Sequence, residues 1–138
     1  MRIYVDAMGG DNAPQAIVEG TLEALRKHPE LQVVLGGPGG QIEPLLKEAE
    51  DVRDRISLDD APEVITNHES PVMGVRKKTN SATVKGMLAL REGSCDGFVS
   101  AGSTGAVLAG GCSAWAGFPG SSGRRWRLCC PTGKDISC

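Results

Sequence analysis

Two stretches of small residues hold the groups best suited to cradle an anion. In the first, Asp6-Ala7-Met8-Gly9-Gly10-Asp11-Asn12-Ala13-Pro14, the glycines Gly9 and Gly10 let backbone come close to a ligand, and the free amides of a helix start would favour a phosphate oxygen. The carboxylates of Asp6 and Asp11 oppose that use, because they repel an anion unless donors or a cation intervene. A Gly-Gly turn with Asp11 as helix N-cap explains the same residues and is preferred on residue types alone. In the second, Ser100-Ala101-Gly102-Ser103-Thr104-Gly105-Ala106, Gly102 and Gly105 permit close approach, while the Ser103 and Thr104 hydroxyls can donate to phosphate oxygens beside the amides. This stretch is neither a Walker loop nor a GxGxxG fingerprint, and the anion-binding and structural readings are evenly matched. Between the two, Glu69-Ser70-Pro71 leads to the cations Arg76, Lys77 and Lys78. A solvated charge run is the simpler account of them; the alternative is that they offset the charge of an anionic substrate. His28 and His68 have no partner at a useful spacing and read as surface residues.

Each anion stretch needs a strand behind it and a helix ahead. Ile3-Tyr4-Val5 is a short apolar strand, Asp11 and Asn12 suit an N-cap, and Pro14 suits a first helical turn. Ile17, Thr21, Ala24, Leu25 and His28 then recur at helical spacing until Pro29. Leu31-Gln32-Val33-Val34-Leu35 reads as a strand closed by glycines, and a second helix carries Ile42, Leu45, Leu46 and Ala49. Arg55-Ile56-Ser57-Leu58 is a weaker strand. Ser70-Pro71 can start a short helix whose end carries the three cations, and Ser81 can cap a helix bearing Val84, Met87, Leu88 and Leu90 that ends near Gly93. Gly97-Phe98-Val99-Ser100 is a strand again, and 102–105 opens another helix. Strand and helix alternating in this way make an α/β fold: a Rossmann-like three-layer sandwich with a mostly parallel sheet.

Composition narrows the functional classes. With 15 basic and 17 acidic residues the net charge is −2, which provides no field for nucleic acid. Aromatics are 4% against 40% hydrophobic residues overall, so the core must come from aliphatic side chains and Met. No apolar run is long enough to span a bilayer. Met1-Arg2-Ile3-Tyr4-Val5-Asp6 reads as a strand rather than a signal peptide, so a cytoplasmic location is expected. The five cysteines form no CxxC pair and signal neither a disulfide framework nor a zinc site. No metal and no cofactor is called for.

Taken together, the segments 6–14, 69–78 and 100–106 closely resemble the phosphate acyltransferase family called PlsX, in order and in spacing, over residues 1 to about 110. The resemblance implies a reaction in which inorganic phosphate attacks the thioester of an acyl-acyl-carrier-protein, giving acyl phosphate and free carrier in phospholipid biosynthesis. It implies a homodimer for the full-length protein and leaves room for peripheral membrane association. Gly9, Gly10, Asp11, Arg76, Lys77, Lys78, Gly102, Ser103, Thr104 and Gly105 are the expected phosphate- or substrate-binding residues. The catalytic residues stay unassigned, with Asp11, Ser103 and Thr104 as candidates. Ser103 stands where the family usually has Asn, which keeps one donor and loses the reach of the amide.

Residues 111–138 depart from this pattern and show no period of either kind. They have the look of a coding sequence read out of frame: with GC-rich codons from Ala116, a shift of two bases yields a loop and an apolar strand similar to what the family carries there. The expectation is a PlsX-like part over 1–110, an irregular tail over 111–138, and no activity from the chain alone. Two rival readings share the sheet. A phosphate acetyltransferase-like or dehydrogenase-like enzyme would use coenzyme A or a dinucleotide, although Gly36-Gly37-Pro38 offers no ribose-binding acid. A non-catalytic module would take carrier protein or nucleotide through the same loops.

Overall fold

Three consecutive apolar residues, Ile3, Tyr4 and Val5, build the first strand and send its side chains to two different layers. In a computed structural model, which describes residues 1–47, 49–66, 69–115, 128–129 and 135–136, β1 (Arg2–Asp6) points Val5 to one face and Tyr4 to the other. It pairs in parallel with β2 (Gln32–Gly37) on one side and with β4 (Gly97–Ser100) on the other, while β3 (Ile56–Asp60) extends the sheet beyond β2. The order is β3-β2-β1-β4, all parallel, as the alternation of strands and helices requires.

One layer is the helix α1 (Gln15–Lys27), whose Val18, Leu22 and Leu25 pack with Val5, Val33 and Leu35 of the sheet. This helix starts later than the sequence suggests. Asp11 and Asn12 are exposed and lie in a turn closed by the Ala13 amide on the Gly10 carbonyl, so Pro14, reached through a cis peptide, takes the cap position without a side-chain hydrogen bond. Thr21 and Leu25 are buried as their spacing suggests, Val18 and Leu22 join them, Ile17 and Ala24 are partly buried, and His28 is exposed. The expected second helix is also broken: one turn, α2 (Gly39–Ile42), passes into a 3-10 segment, Glu43–Leu46, that contains Pro44. Proline lacks the amide that would continue the ladder, yet Ile42, Leu46 and Ala49 still turn inward.

The opposite layer holds α3 (Pro71–Lys77), α4 (Ala82–Glu92) and α5 (Thr104–Trp115). The Ser81 hydroxyl accepts from the Val84 amide and caps α4, as its residue type suggests. Gly93 closes that helix, and α4 then covers Tyr4, Val34 and Phe98. The chain is thus an α/β Rossmann-like sandwich. The helix α5 continues past residue 110 to Trp115, and Leu128–Cys129 pairs antiparallel with Asp135–Ile136. The rest of the expected irregular tail, like His68, lies outside the described residues.

Candidate anion-binding site at the crossover

Sheet order decides where a ligand can enter. The chain runs from β1 outward to β2 and β3, then returns to place β4 on the free side of β1. At such a switch point the loops leaving two adjacent strands diverge and open a crevice at their carboxyl ends. Those two loops are 6–14 and 100–106, and the register that sets Asp6 opposite Ser100 brings them side by side.

Their contact is close enough to demand glycine. A Cβ on Gly9 would lie 2.6 Å from the Gly102 amide nitrogen and 2.8 Å from the Ser100 hydroxyl. Gly10 has a φ of 103°, a conformation that disfavours a side chain, and packs on Ala101. Both glycines therefore have a structural reason to stand where they do, independent of any ligand.

The carboxylate of Asp6 borders the crevice but is already engaged. It is buried on the α4 side of the sheet, where Oδ1 accepts from the Met8 amide at 3.1 Å and Oδ2 from the hydroxyls of Thr83 at 2.9 Å and Ser100 at 3.0 Å. Ser100 in turn accepts from the Gly102 amide at 3.1 Å. Asp11, by contrast, is exposed and makes no N-cap bond, which removes the simplest structural account of it.

At the start of α5 the Ser103 hydroxyl accepts from the Ala106 amide at 3.3 Å, acting as a cap. The amides of Ser103, Thr104 and Gly105 have no hydrogen-bond partner among the described residues. A helix start with unpaired amides carries a partial positive charge and suits an anion. Thr104 is exposed, and Gly105 lies against Pro71 at the start of α3.

The cations fall elsewhere. Lys78 is committed: its ammonium reaches Glu69 at 2.7 Å and the Val64 carbonyl at 2.6 Å, fastening the segment that carries Val64 and Ile65 to the crevice wall. The hydrogen bond from Lys78, with help from the Thr66 amide, holds the Glu69 carboxyl below its usual range. Arg76 and Lys77 are exposed, and Arg76 borders a separate groove with Val75, Met87, Leu88 and Gly110. No Lys or Arg lines the crevice among the described residues, whereas Asp6 and Glu63 do, and the Glu63 carboxylate is taken up by the Asn80 amide at 2.7 Å. No group of three or more potential metal ligands occurs among the described residues.

The structure thus unites Gly9, Gly10, Gly102, Ser103, Thr104 and Gly105, and sets Arg76 and Lys77 apart. It adds Thr83, which the sequence reading left out, and gives Asp6 partners that reading did not foresee. Thr83 lies one residue into a capped helix, but no local signal tells that its hydroxyl meets a strand end 77 residues away.

The model of a family described as "Fatty acid synthesis protein" matches residues 1–120. The chain belongs to that family. A phosphate acyltransferase of Clostridium botulinum (strain Alaska E43 / Type E3) is 46% identical over 110 residues, covering 80% of this chain and 33% of that protein. One from Levilactobacillus brevis is 49% identical over 111 residues, covering 80% of this chain and 31% of that protein. One from Clostridium acetobutylicum is 44% identical over 110 residues. The chain spans about a third of the length of these fatty acid synthesis relatives. All three relatives carry the name phosphate acyltransferase. No helix among the described residues is long and apolar enough to cross a membrane.

Proposed function

We propose that this chain supplies the phosphate-binding part of an enzyme that moves a fatty acyl group from acyl-carrier protein to inorganic phosphate. The observation that carries the reading is the set of unpaired amides of Ser103, Thr104 and Gly105 at the crossover crevice. In this reading a phosphate oxygen attacks the thioester carbon, a C–O bond forms, the C–S bond breaks, and the carrier leaves as the thiol with the proton of the phosphate. In the same reading the amides orient the nucleophile, and the Thr104 hydroxyl donates to it. Amides suit this task better than a fixed cation, because they bind the dianion without neutralising its nucleophilic oxygen. Asp11 remains a candidate from the facing loop, and Arg76 and Lys77 are better placed to meet an acidic carrier than to hold phosphate.

The test is a chimera in which residues 1–110 of this chain replace the matching part of the Clostridium botulinum relative. Phosphate-dependent release of carrier thiol from acyl-carrier protein should persist in the chimera and be absent from the chain alone. A folded chimera that releases no thiol, or releases it without phosphate, overturns the proposal and favours a non-catalytic module.

A further inference from the structure

The anion reading makes no use of Asp6, yet this residue joins more elements than any other at the crevice. It ends β1 with only 5% of its surface exposed. Its three donors come from the loop that follows it, from α4 and from the end of β4. A carboxylate only accepts, so both hydroxyl protons are committed to it and their directions are set. With its proton spent, the Ser100 oxygen offers a lone pair to the Gly102 amide. A continuous chain of hydrogen bonds therefore runs from the Gly102 amide through the Ser100 hydroxyl to Asp6, which also accepts from the Met8 amide. It takes the Gly102 amide away from any ligand and leaves the next three amides, those of Ser103, Thr104 and Gly105, without a partner among the described residues.

We propose that Asp6 is a positioning residue that locks the loop after β1 to the loop after β4, so that the three α5 amides stand preformed for an anion. This deepens the phosphate reading and rests on it. An Asp6→Asn substitution keeps the shape but turns one oxygen into a donor, so at least one of the three partners loses its acceptor. A hydrogen-bonded cluster with a merely stabilising role would weaken folding without changing the amide set.

Two measurements on the isotopically labelled full chain decide the matter. The first uses no ligand and reads amide exchange. Asp6→Asn should speed exchange at Met8 and also at Gly102, which does not touch Asp6, while Ser100→Ala should affect Gly102 alone. An unchanged Gly102 amide in folded Asp6→Asn overturns the lock. The second titrates inorganic phosphate and follows the amides of Ser103, Thr104 and Gly105. Asp6→Asn should weaken the response about tenfold, the scale of one hydrogen bond to a charged group. Thr83→Val should weaken it too, and Thr83→Ser, which restores the hydroxyl, should recover it. Full phosphate response in Asp6→Asn overturns the proposal and leaves the anion reading intact. No response in the wild-type chain overturns the anion reading, and the exchange measurement then decides the lock by itself. Should Asp6→Asn fail to fold, the Thr83→Val and Thr83→Ser pair carries both measurements: equal behaviour of the two overturns the proposal.

Discussion

The two faces of the sheet are made from the same strands and do different work. Toward α1 the strands show Val5, Val33 and Leu35, and the helix answers with Val18, Leu22 and Leu25. Toward α4 they show Tyr4, Val34 and Phe98 in the middle, but Asp6, Ser100 and Asp59 at the carboxyl end. The Tyr4 hydroxyl donates to Asp59 at 2.8 Å, Lys85 reaches Asp59 at 2.7 Å, and Thr83 reaches Asp6. Burial, followed by the hydrogen bond to Asp59, pushes the Tyr4 phenol far up, so it stays a donor throughout the working pH range. No buried side-chain polar atom among the described residues lacks a partner. An apolar face needs only volume, whereas a polar one needs every donor matched. The proposed site lies where strand ends, α4 and two loops converge, while the α1 face is apolar.

Breaking the contrast from its stable side should give the largest effect. Leu25→Ala removes a fully buried side chain and should lower unfolding free energy by about 2–5 kcal/mol in urea titrations. The Met8 and Gly102 amides should keep their positions in the folded fraction. Next comes the loop contact: Gly9→Ala puts a methyl against the backbone of Gly102 and should lower stability by about 1–3 kcal/mol. Here the shifts should concentrate at 100–102, the reverse of Leu25→Ala, and a change spread evenly over the sheet would contradict the contact. Thr83→Val leaves Asp6 without one donor and should lower stability by about 1–2 kcal/mol, less than the Leu25 change.

The smallest effect is one of pH. The Glu69 carboxyl is lowered in the folded chain, so the Lys78–Glu69 contact contributes stability that is complete above the usual glutamate value of about 4.3 and is lost as pH falls through the lowered one. Exchange at the Thr66 amide should accelerate over that acidic window while α1 stays protected. Equal acid sensitivity of both regions would show that Lys78 does not hold the crevice wall.

Much of the fold was legible because it rests on local periods. A short apolar run at 3–5, helical spacing through Thr21 and Leu25, a hydroxyl at Ser81 and glycine at Gly93 each name an element without reference to the rest of the chain. The glycine stretches were legible as loops for the same reason, and together they carried the resemblance to the phosphate acyltransferases. Legibility failed where two signals competed. Asp11 and Asn12 are good caps by type, but the Gly10–Ala13 turn uses the backbone first, and Pro14 takes the cap. Arg76, Lys77 and Lys78 look alike as a run, yet the helix that carries them turns Lys78 to Glu69 and leaves Arg76 beside another groove.

By itself the sequence determined a parallel α/β sheet, the two glycine loops at its strand ends, and the family to which they belong. Only the tertiary structure decided that β4 returns beside β1, because strand order depends on how whole layers pack and not on any one strand's residues. The same holds for Asp6. As a residue in a loop it reads as a charge that repels an anion. Its partners Thr83 and Ser100 lie 77 and 94 residues away, and only the register of the closed sheet brings their hydroxyls to it. A buried carboxylate is tolerable only when such donors surround it, and no local pattern encodes a meeting across that separation.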